Sequence, residues 1–253
     1  MKKEDEKFAS STVMEGMVSI RAVLSSDNGR KIEEILYDKA RSEAKMKEIA
    51  YLRHRGEELG FEVKAVNPEE IDKKCIGNSH GGLIALCSER TLPSLSENDI
   101  SGDFWVMLEG IEDPYNFGYC LRSLYAAGAN GIIVPPRNWM TAAGVVCRAS
   151  AGASELFKIF ISDSAEAAKL FHKKNFAVIA ADKTKDSVSI YDTDIKRPLL
   201  LIVGGEKRGI THAALAECDK VVSLDYGRDF PAALSAASAA SILAFEIFRR
   251  GRK

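Results

Sequence analysis

The chain has 253 residues, with 46% hydrophobic and 28% charged side chains, 19 glycines and 7 prolines. This composition excludes disordered and fibrous classes and allows one large or two small globular domains. Thirty-five Lys and Arg stand against 36 Asp and Glu, a formal net charge of -1, which excludes a uniformly basic nucleic-acid coat but leaves room for a local patch. Cys75, Cys87, Cys120, Cys147 and Cys218 form no C-x-x-C and no close Cys/His cluster. They predict buried thiols in a reducing, cytoplasmic setting and no metal site. Met1 to Lys7 is charged without an apolar stretch, which argues against a secretory signal. The longest uncharged run, Phe230 to Phe245, is Ala/Ser-rich and shorter than the ~20 apolar residues of a membrane span, so no membrane role is expected.

In chain order, a strand is predicted near Ile35 to Tyr37, a helix over Ala40 to Leu59 and a helix stop at Gly60. Phe61, Val63 and Ala65 alternate with Glu62 and Lys64, the period of a half-buried strand. Pro68 opens a short helix through Lys73, and Gly82 to Cys87 reads as a buried strand. Within residues 39–55, Lys39, Arg41, Lys45, Lys47, Arg53 and Arg55, with His54, stand against only Glu43 and Glu48. Taken alone, this run serves a solvated helix face more readily than an RNA contact.

From Thr91 to Asp103 the chain turns Pro/Ser/Gly/acid-rich, which is linker composition. Apolar strand-like runs then recur at Phe104 to Leu108, Gly131 to Val134, Phe157 to Ile161, Phe176 to Ala181, Leu199 to Val203 and Val221 to Leu224. Helical stretches separate several of them, so this part is expected to be an α/β fold with a mostly parallel sheet covered on both faces.

In such sheets ligands bind beyond the carboxyl ends of strands, and three of these segments are unusual. After the first strand, Asp113-Pro114 is turn chemistry, and Asn116 stands where an N-cap would sit for a helix running to Ala127. Phe117, Leu121 and Leu124 mark its core face, while Arg122 lies one turn after Gly118. A guanidinium there is placed either to hold a phosphate or to pair with a surface carboxylate. The second segment, Gly204 to Thr211, has P-loop-like glycine spacing, but Ile210 stands where the phosphate-binding Lys would be. It is left as a turn able to close around a compact ligand, with Glu206 as its acid; a plain tight turn explains a glycine pair equally well. The third, Leu224 to Glu246, holds an Ala/Ser run suited to close backbone packing, as in an ordinary core or a threaded segment.

Together and in this order these segments resemble the SpoU (TrmH-like) family of RNA ribose 2'-O-methyltransferases of the SPOUT class. Asp113, Pro114, Asn116, Gly118 and Arg122 match its first motif, the Ala149 to Ala153 stretch its Ala-Ser-Ala-Gly-Ala segment, and Gly204, Glu206 and Gly209 its second motif. Gly16 to Leu24 and His80 to Ala85 match the ribosomal-protein-like RNA-binding domain that many members carry. The third motif departs: Ser235 replaces the expected Asn, Ala233 and Ala237 replace both serines, and the preceding loop, Asp225 to Pro231, is about one residue longer.

The resemblance implies a small N-terminal α/β RNA-substrate domain at residues 14–92, a linker at 93–103 and a methyltransferase domain at 104–253 with a trefoil knot. It implies a homodimer and S-adenosylmethionine held at Gly204, Gly205, Gly209, Ile210, Leu224 and Leu234, so that Gly204→Val would clash with the ligand in an intact fold. Arg122, Asn116, Glu206 and Ser235 become the catalytic candidates, with Arg122 orienting phosphate and hydroxyl. In this context Lys39, Arg41, Lys45, Lys47, Arg53, Arg55 and His80 become the RNA-binding set, ribosomal RNA being favoured over transfer RNA. Two other classes stand beside this reading: a non-catalytic RNA-binding or assembly protein, motivated by Ser235, and an unrelated nucleotide-binding α/β enzyme, disfavoured by the missing P-loop Lys and the missing dinucleotide fingerprint.

Overall fold

The computed structural model describes residues 13–75 and 80–251; the charged segment Met1 to Lys7 lies outside them. In chain order the first elements are β1 (Val13–Glu15), α1 (Gly16–Ser25), β2 (Ile32–Asp38), α2 (Met46–Leu59), β3 (Glu62–Val66), α3 (Pro68–Asp72) and β4 (Leu83–Cys87). There follow β5 (Phe104–Glu109), α4 (Pro114–Ala126), β6 (Gly131–Val134), α5 (Ala143–Ala149), α6 (Ala153–Leu156), β7 (Ile159–Ile161) and α7 (Ser164–Lys173). The last are β8 (Ala177–Ala181), β9 (Val188–Ser189), β10 (Leu199–Gly204), α8 (His212–Ala216), β11 (Lys220–Ser223) and α9 (Ala236–Gly251). Among the described residues no helix is long and apolar enough to cross a membrane.

The chain divides into two compact units, residues 1–91 with 139–156, and residues 92–138 with 157–253. The first is built on a sheet of order β1-β4-β2-β3, in which β4 is antiparallel to both β1 and β2 while β3 is parallel to β2. The long predicted helix is shortened at its start. The Asp38 side chain accepts the Ala40 N–H at 2.9 Å and closes a 3-10 turn over Lys39–Arg41, so α2 begins only at Met46. It ends as predicted at Gly60, whose φ of 81° is the left-handed conformation that glycine adopts without strain.

The division differs from the expected one at residues 139–156, which join the first unit. Ala143 and Cys147 sit in its apolar core with Met14, Ile20, Ile35 and Leu52. Gly152, at φ +90°, lies so close to α1 that an added Cβ would come within 2.6 Å of the Ala22 Cβ. The Glu155 carboxylate, its side chain 0% exposed, pairs at 3.0 Å with Arg30, 2% exposed, and Glu15 pairs with Arg148 at 2.6 Å. A local Ala/Gly-rich motif gives no hint of these partners more than 100 residues away. The Thr91 to Asp103 stretch, expected as a free linker, belongs for the most part to the second unit: Leu95 N–H donates to Ile161 O at 2.9 Å, and Ile161 N–H to Pro93 O at 2.8 Å.

The second unit holds a seven-stranded sheet of order β7-β6-β5-β10-β8-β11-β9, parallel throughout. Its strands are near-continuous apolar runs because both faces are covered. Trp105, Met107, Ile202 and Val178 pack with Phe171 of α7 and Ala214 of α8. α9 returns to pack along α4 and β10, its Ala240 and Ala244 fully buried and Ser241 Oγ donating to Ser123 Oγ at 2.6 Å. Small side chains permit that close approach.

Candidate active site

The order in which strands are added reverses at the centre of the parallel sheet. β5 leads outward to β6 and β7, whereas β10 later enters between β5 and β8. The crevice beyond the carboxyl ends at such a switch point is the expected ligand site. It is bounded here by the loops that follow β5, β8, β10 and β11.

The loop after β5 starts α4 with Asp113, not Asn116, as N-cap: the Asp113 carboxylate accepts the Asn116 N–H at 2.7 Å, and Pro114 fills the first helical position, where no donor is needed. Asn116 is thereby left in the first turn of α4. The loop after β10 folds back on itself, Gly209 N–H donating to Gly205 O at 2.9 Å. A Cβ on Gly205 would lie 1.9 Å from Gly110 O, and one on Gly204 2.5 Å from the Gly209 carbonyl carbon. Backbone crowding therefore dictates this glycine pair. Gly204→Val disrupts the turn itself, which overturns its expected use as a fold-neutral probe of the ligand.

Glu206 connects the loops. Its Oε1 accepts Asn116 Nδ2 at 3.3 Å and the Ala236 N–H at 3.1 Å, so it joins the start of α4 to the start of α9. Lys207 beside it bonds Glu112 at 2.7 Å, and this hydrogen bond pushes the Lys207 pKa upward. Ser235 is engaged at the start of α9, where its Oγ accepts the Ser238 N–H at 3.2 Å as a helix cap does. Arg122 is exposed on α4 and makes no ion pair among the described residues.

A cavity of about 180 Å³ opens against these loops, and its wall includes Gly204, Gly205, Glu206, Gly209, Leu224 and Leu234. Ile210 differs from the other expected cofactor residues: its side chain is 6% exposed and belongs to the apolar core with Trp105 and Phe171. Asp182, Lys183 and Tyr226 also line the cavity without having been singled out in the sequence. The available signal was position, since the first two directly follow the strand predicted to end at Ala181. The wall combines apolar surface with two carboxylates, Asp182 and Glu206, which suits a ligand bearing a flat heterocycle and a positive centre.

In the first unit, the basic residues are brought together but largely matched. Lys45 bonds Glu48 at 2.8 Å, Arg41 lies 3.4 Å from Asp38 and Arg55 bonds Glu58. Arg53 donates to Tyr37 Oη at 3.0 Å. Lys39 and Lys47 have no such partner among the described residues. His80 is held structurally, its Nδ1 accepting the Gly82 N–H at 3.0 Å and its Nε2 lying 3.1 Å from Asp72. Among the described residues, no group of three or more His, Cys, Asp or Glu side chains could hold a metal ion.

Residues 103–245 match the model of the SpoU rRNA Methylase family. A 23S rRNA (guanosine-2'-O-)-methyltransferase of Shewanella oneidensis is 27% identical over 260 residues, covering 100% of each chain; its counterpart in Pasteurella multocida is 26% identical, covering 93% of this chain and 96% of its own. Among solved structures, an RNA 2'-O ribose methyltransferase superposes with a TM-score of 0.76 at 23% identity, over 94% of this chain and 88% of that one. The SpoU methyltransferase AviRb from Streptomyces viridochromogenes, in complex with AdoMet, superposes with a TM-score of 0.75 at 21% identity, over 94% and 89% of the two chains. These likenesses establish the α/β fold, and the family match spans Asp113, Asn116, Arg122, Glu206 and Ser235. The chain belongs to the SpoU rRNA Methylase family.

Proposed function

We propose that this chain transfers a methyl group from S-adenosylmethionine to a ribose 2'-hydroxyl of ribosomal RNA. The observation that carries the reading is the Glu206 junction, where Asn116 and the start of α9 meet on one carboxylate beside the strand-end cavity. The names of the curated relatives support ribosomal over transfer RNA.

The residues present fit the cofactor. Leu224, Leu234 and Leu243 offer apolar contact for an adenine, while Asp182 and Glu206 supply negative charge to a sulfonium. When bound, S-adenosylmethionine would supply an electrophilic methyl for the ribose oxygen, with S-adenosylhomocysteine as the leaving product and the hydroxyl proton taken up by solvent. The chain's own contribution is alignment. Glu206 fixes the Asn116 amide and the start of α9, and the exposed Arg122 guanidinium holds an RNA phosphate beside the reacting ribose. A guanidinium keeps its proton in proteins, so Arg122 orients and does not act as the base.

The reading includes a trefoil knot, supported by the return of α9 onto α4 and β10 after the 224–235 loop. It also includes a homodimer. Tyr119 and Tyr125 of α4 are 47% and 45% exposed, and Ile242, Phe245 and Phe248 of α9 are 39%, 47% and 38% exposed, on two helices that pack together. Exposed apolar patches of this kind mark interfaces. The first unit serves as the RNA-substrate domain, and the five free cysteines suit a reducing cytoplasm. Burial pushes the thiols of Cys87, Cys120 and Cys147 up to about 12, so they stay protonated and unreactive at neutral pH.

One observation favours RNA binding without turnover as the second reading: Ser235 is occupied as a helix cap. Incubating the protein and labelled S-adenosylmethionine with ribosomal RNA from cells lacking it separates the two. Label appearing at a single ribose 2'-oxygen supports the enzyme; RNA binding without label supports the second reading.

A further inference from the structure

The strand-end cavity is small for a cofactor site. At about 180 Å³ it falls below the roughly 300–1,000 Å³ that pockets for small molecules and cofactors occupy. Beside it lies an open hollow of about 550 Å³, walled by residues 225–230 and Leu234. Tyr226 and Leu234 are the two residues common to both walls. Their contact is a single hydrogen bond, in which Leu234 N–H donates to Tyr226 Oη at 3.2 Å.

We propose that Tyr226 is a gate: its phenol closes the partition between the cavity and the hollow, and cofactor entry requires it to release the Leu234 N–H. The inference rests on the S-adenosylmethionine reading. The surrounding contacts define which parts move. Asp225, just before the tyrosine, is tied by a hydrogen bond to Ser189 of β9, which anchors the base of the loop. The ring beyond it has two exposed neighbours, Lys183, with Nζ 5.3 Å from the ring centroid, and Phe230, at 6.3 Å between centroids. Both flanking side chains are solvent-facing, so turning the phenol outward disturbs little core packing.

The exchange also balances the hydrogen bonds. With the phenol in place the Leu234 N–H is satisfied; with it withdrawn, the amide faces the enlarged cavity as a donor, and an sp2 ring nitrogen of a purine is an acceptor of suitable geometry. Closed and open forms then compete. The apparent affinity for the cofactor equals the intrinsic affinity reduced by the fraction of molecules that are open. Tyr226 is in this sense a positioning residue for cofactor loading.

The test is Tyr226→Phe, which keeps the ring and deletes the hydroxyl that accepts from Leu234. Stopped-flow and calorimetric titrations with S-adenosylmethionine and S-adenosylhomocysteine are expected to show association faster and binding tighter by roughly two- to tenfold, the worth of one net hydrogen bond. The KM for the cofactor falls while the KM for RNA stays unchanged. Lys183→Ala, which frees the ring from its cation, is expected to shift cofactor association in the same direction by less, and it carries the test should Tyr226→Phe not fold. Cofactor binding by the wild type with unchanged or slower association in both variants overturns the gate alone. Failure of wild type and variants alike to bind either compound overturns the cofactor reading together with it.

Discussion

The basic stretch from Lys39 to Arg55 and the strand-end cluster around Glu206 are both rich in polar side chains, but they are wired differently. In the first, Lys45–Glu48, Arg55–Glu58 and Arg41–Asp38 each span three residues. Such contacts need only a helix or a turn and contribute little individually. In the second, the bonds from Asn116 and Ala236 to Glu206 span 90 and 30 residues. They exist only because the parallel sheet delivers three loops to one point. Long-range closure, rather than density of charge, is what distinguishes a built site from a solvated face.

The comparison is strongest where a long-range pair is also buried. Removing the carboxylate in Glu155→Ala leaves Arg30 buried and uncompensated, a loss of about 3–5 kcal/mol. Chemical denaturation monitored on the first unit is expected to show it, whereas Glu48→Ala on α2 stays within about 0.5 kcal/mol. Equal effects of the two substitutions erase the distinction.

Arg122, which makes no ion pair among the described residues, is the cation that the site reading assigns to RNA phosphate. Arg122→Ala is expected to slow methyl transfer by about a hundredfold, near 3 kcal/mol of transition-state stabilisation, while S-adenosylmethionine affinity is retained. Arg122→Lys recovers little, because a point charge does not reproduce the planar fork. A folded alanine variant with near wild-type rates redirects attention to Glu206 and Ser235.

The exposed stripe on α9 offers a third contrast, between a helix face matched within the chain and one left uncovered. Phe245→Glu places charge in the proposed homodimer interface, and light scattering is expected to show monomers at concentrations where the wild type is dimeric. An unchanged mass assigns the patch another role.

The smallest effect separates two lysines two residues apart. Lys47 lacks a carboxylate partner among the described residues, whereas Lys45 is engaged by Glu48. Lys47→Ala is expected to lower the slope of log affinity for RNA against log salt by about one, and Lys45→Ala by less. Identical slopes in wild type and both variants make α2 a solvated face only.

Much of the second unit was legible along the chain because its signals are local. Apolar runs such as Leu199 to Val203 need only their own composition to read as buried strands, and the turn chemistry of Asp113-Pro114 announces a helix, although its cap is Asp113 and not the expected Asn116. The helix expected from Ala40 begins later because its periodicity says nothing of Asp38, whose side chain diverts the chain into a 3-10 turn. β1 and β9, three and two residues long, are too short to carry a period and form only because neighbours supply their hydrogen bonds.

The sequence by itself determined the α/β class, the likeness to a methyltransferase family and the identity of Asn116, Arg122 and Glu206 as candidates, since motif spacing and apolar periodicity are properties of contiguous residues. Tertiary structure alone decided that 139–156 folds with the first unit, that Gly204 and Gly205 serve the turn, that Ile210 is core, and that Tyr226 and Lys183 border the cavity. Those outcomes depend on which residues distant in the chain come within a few ångströms of each other. That is set by the packing of the whole sheet, and no window of sequence contains it.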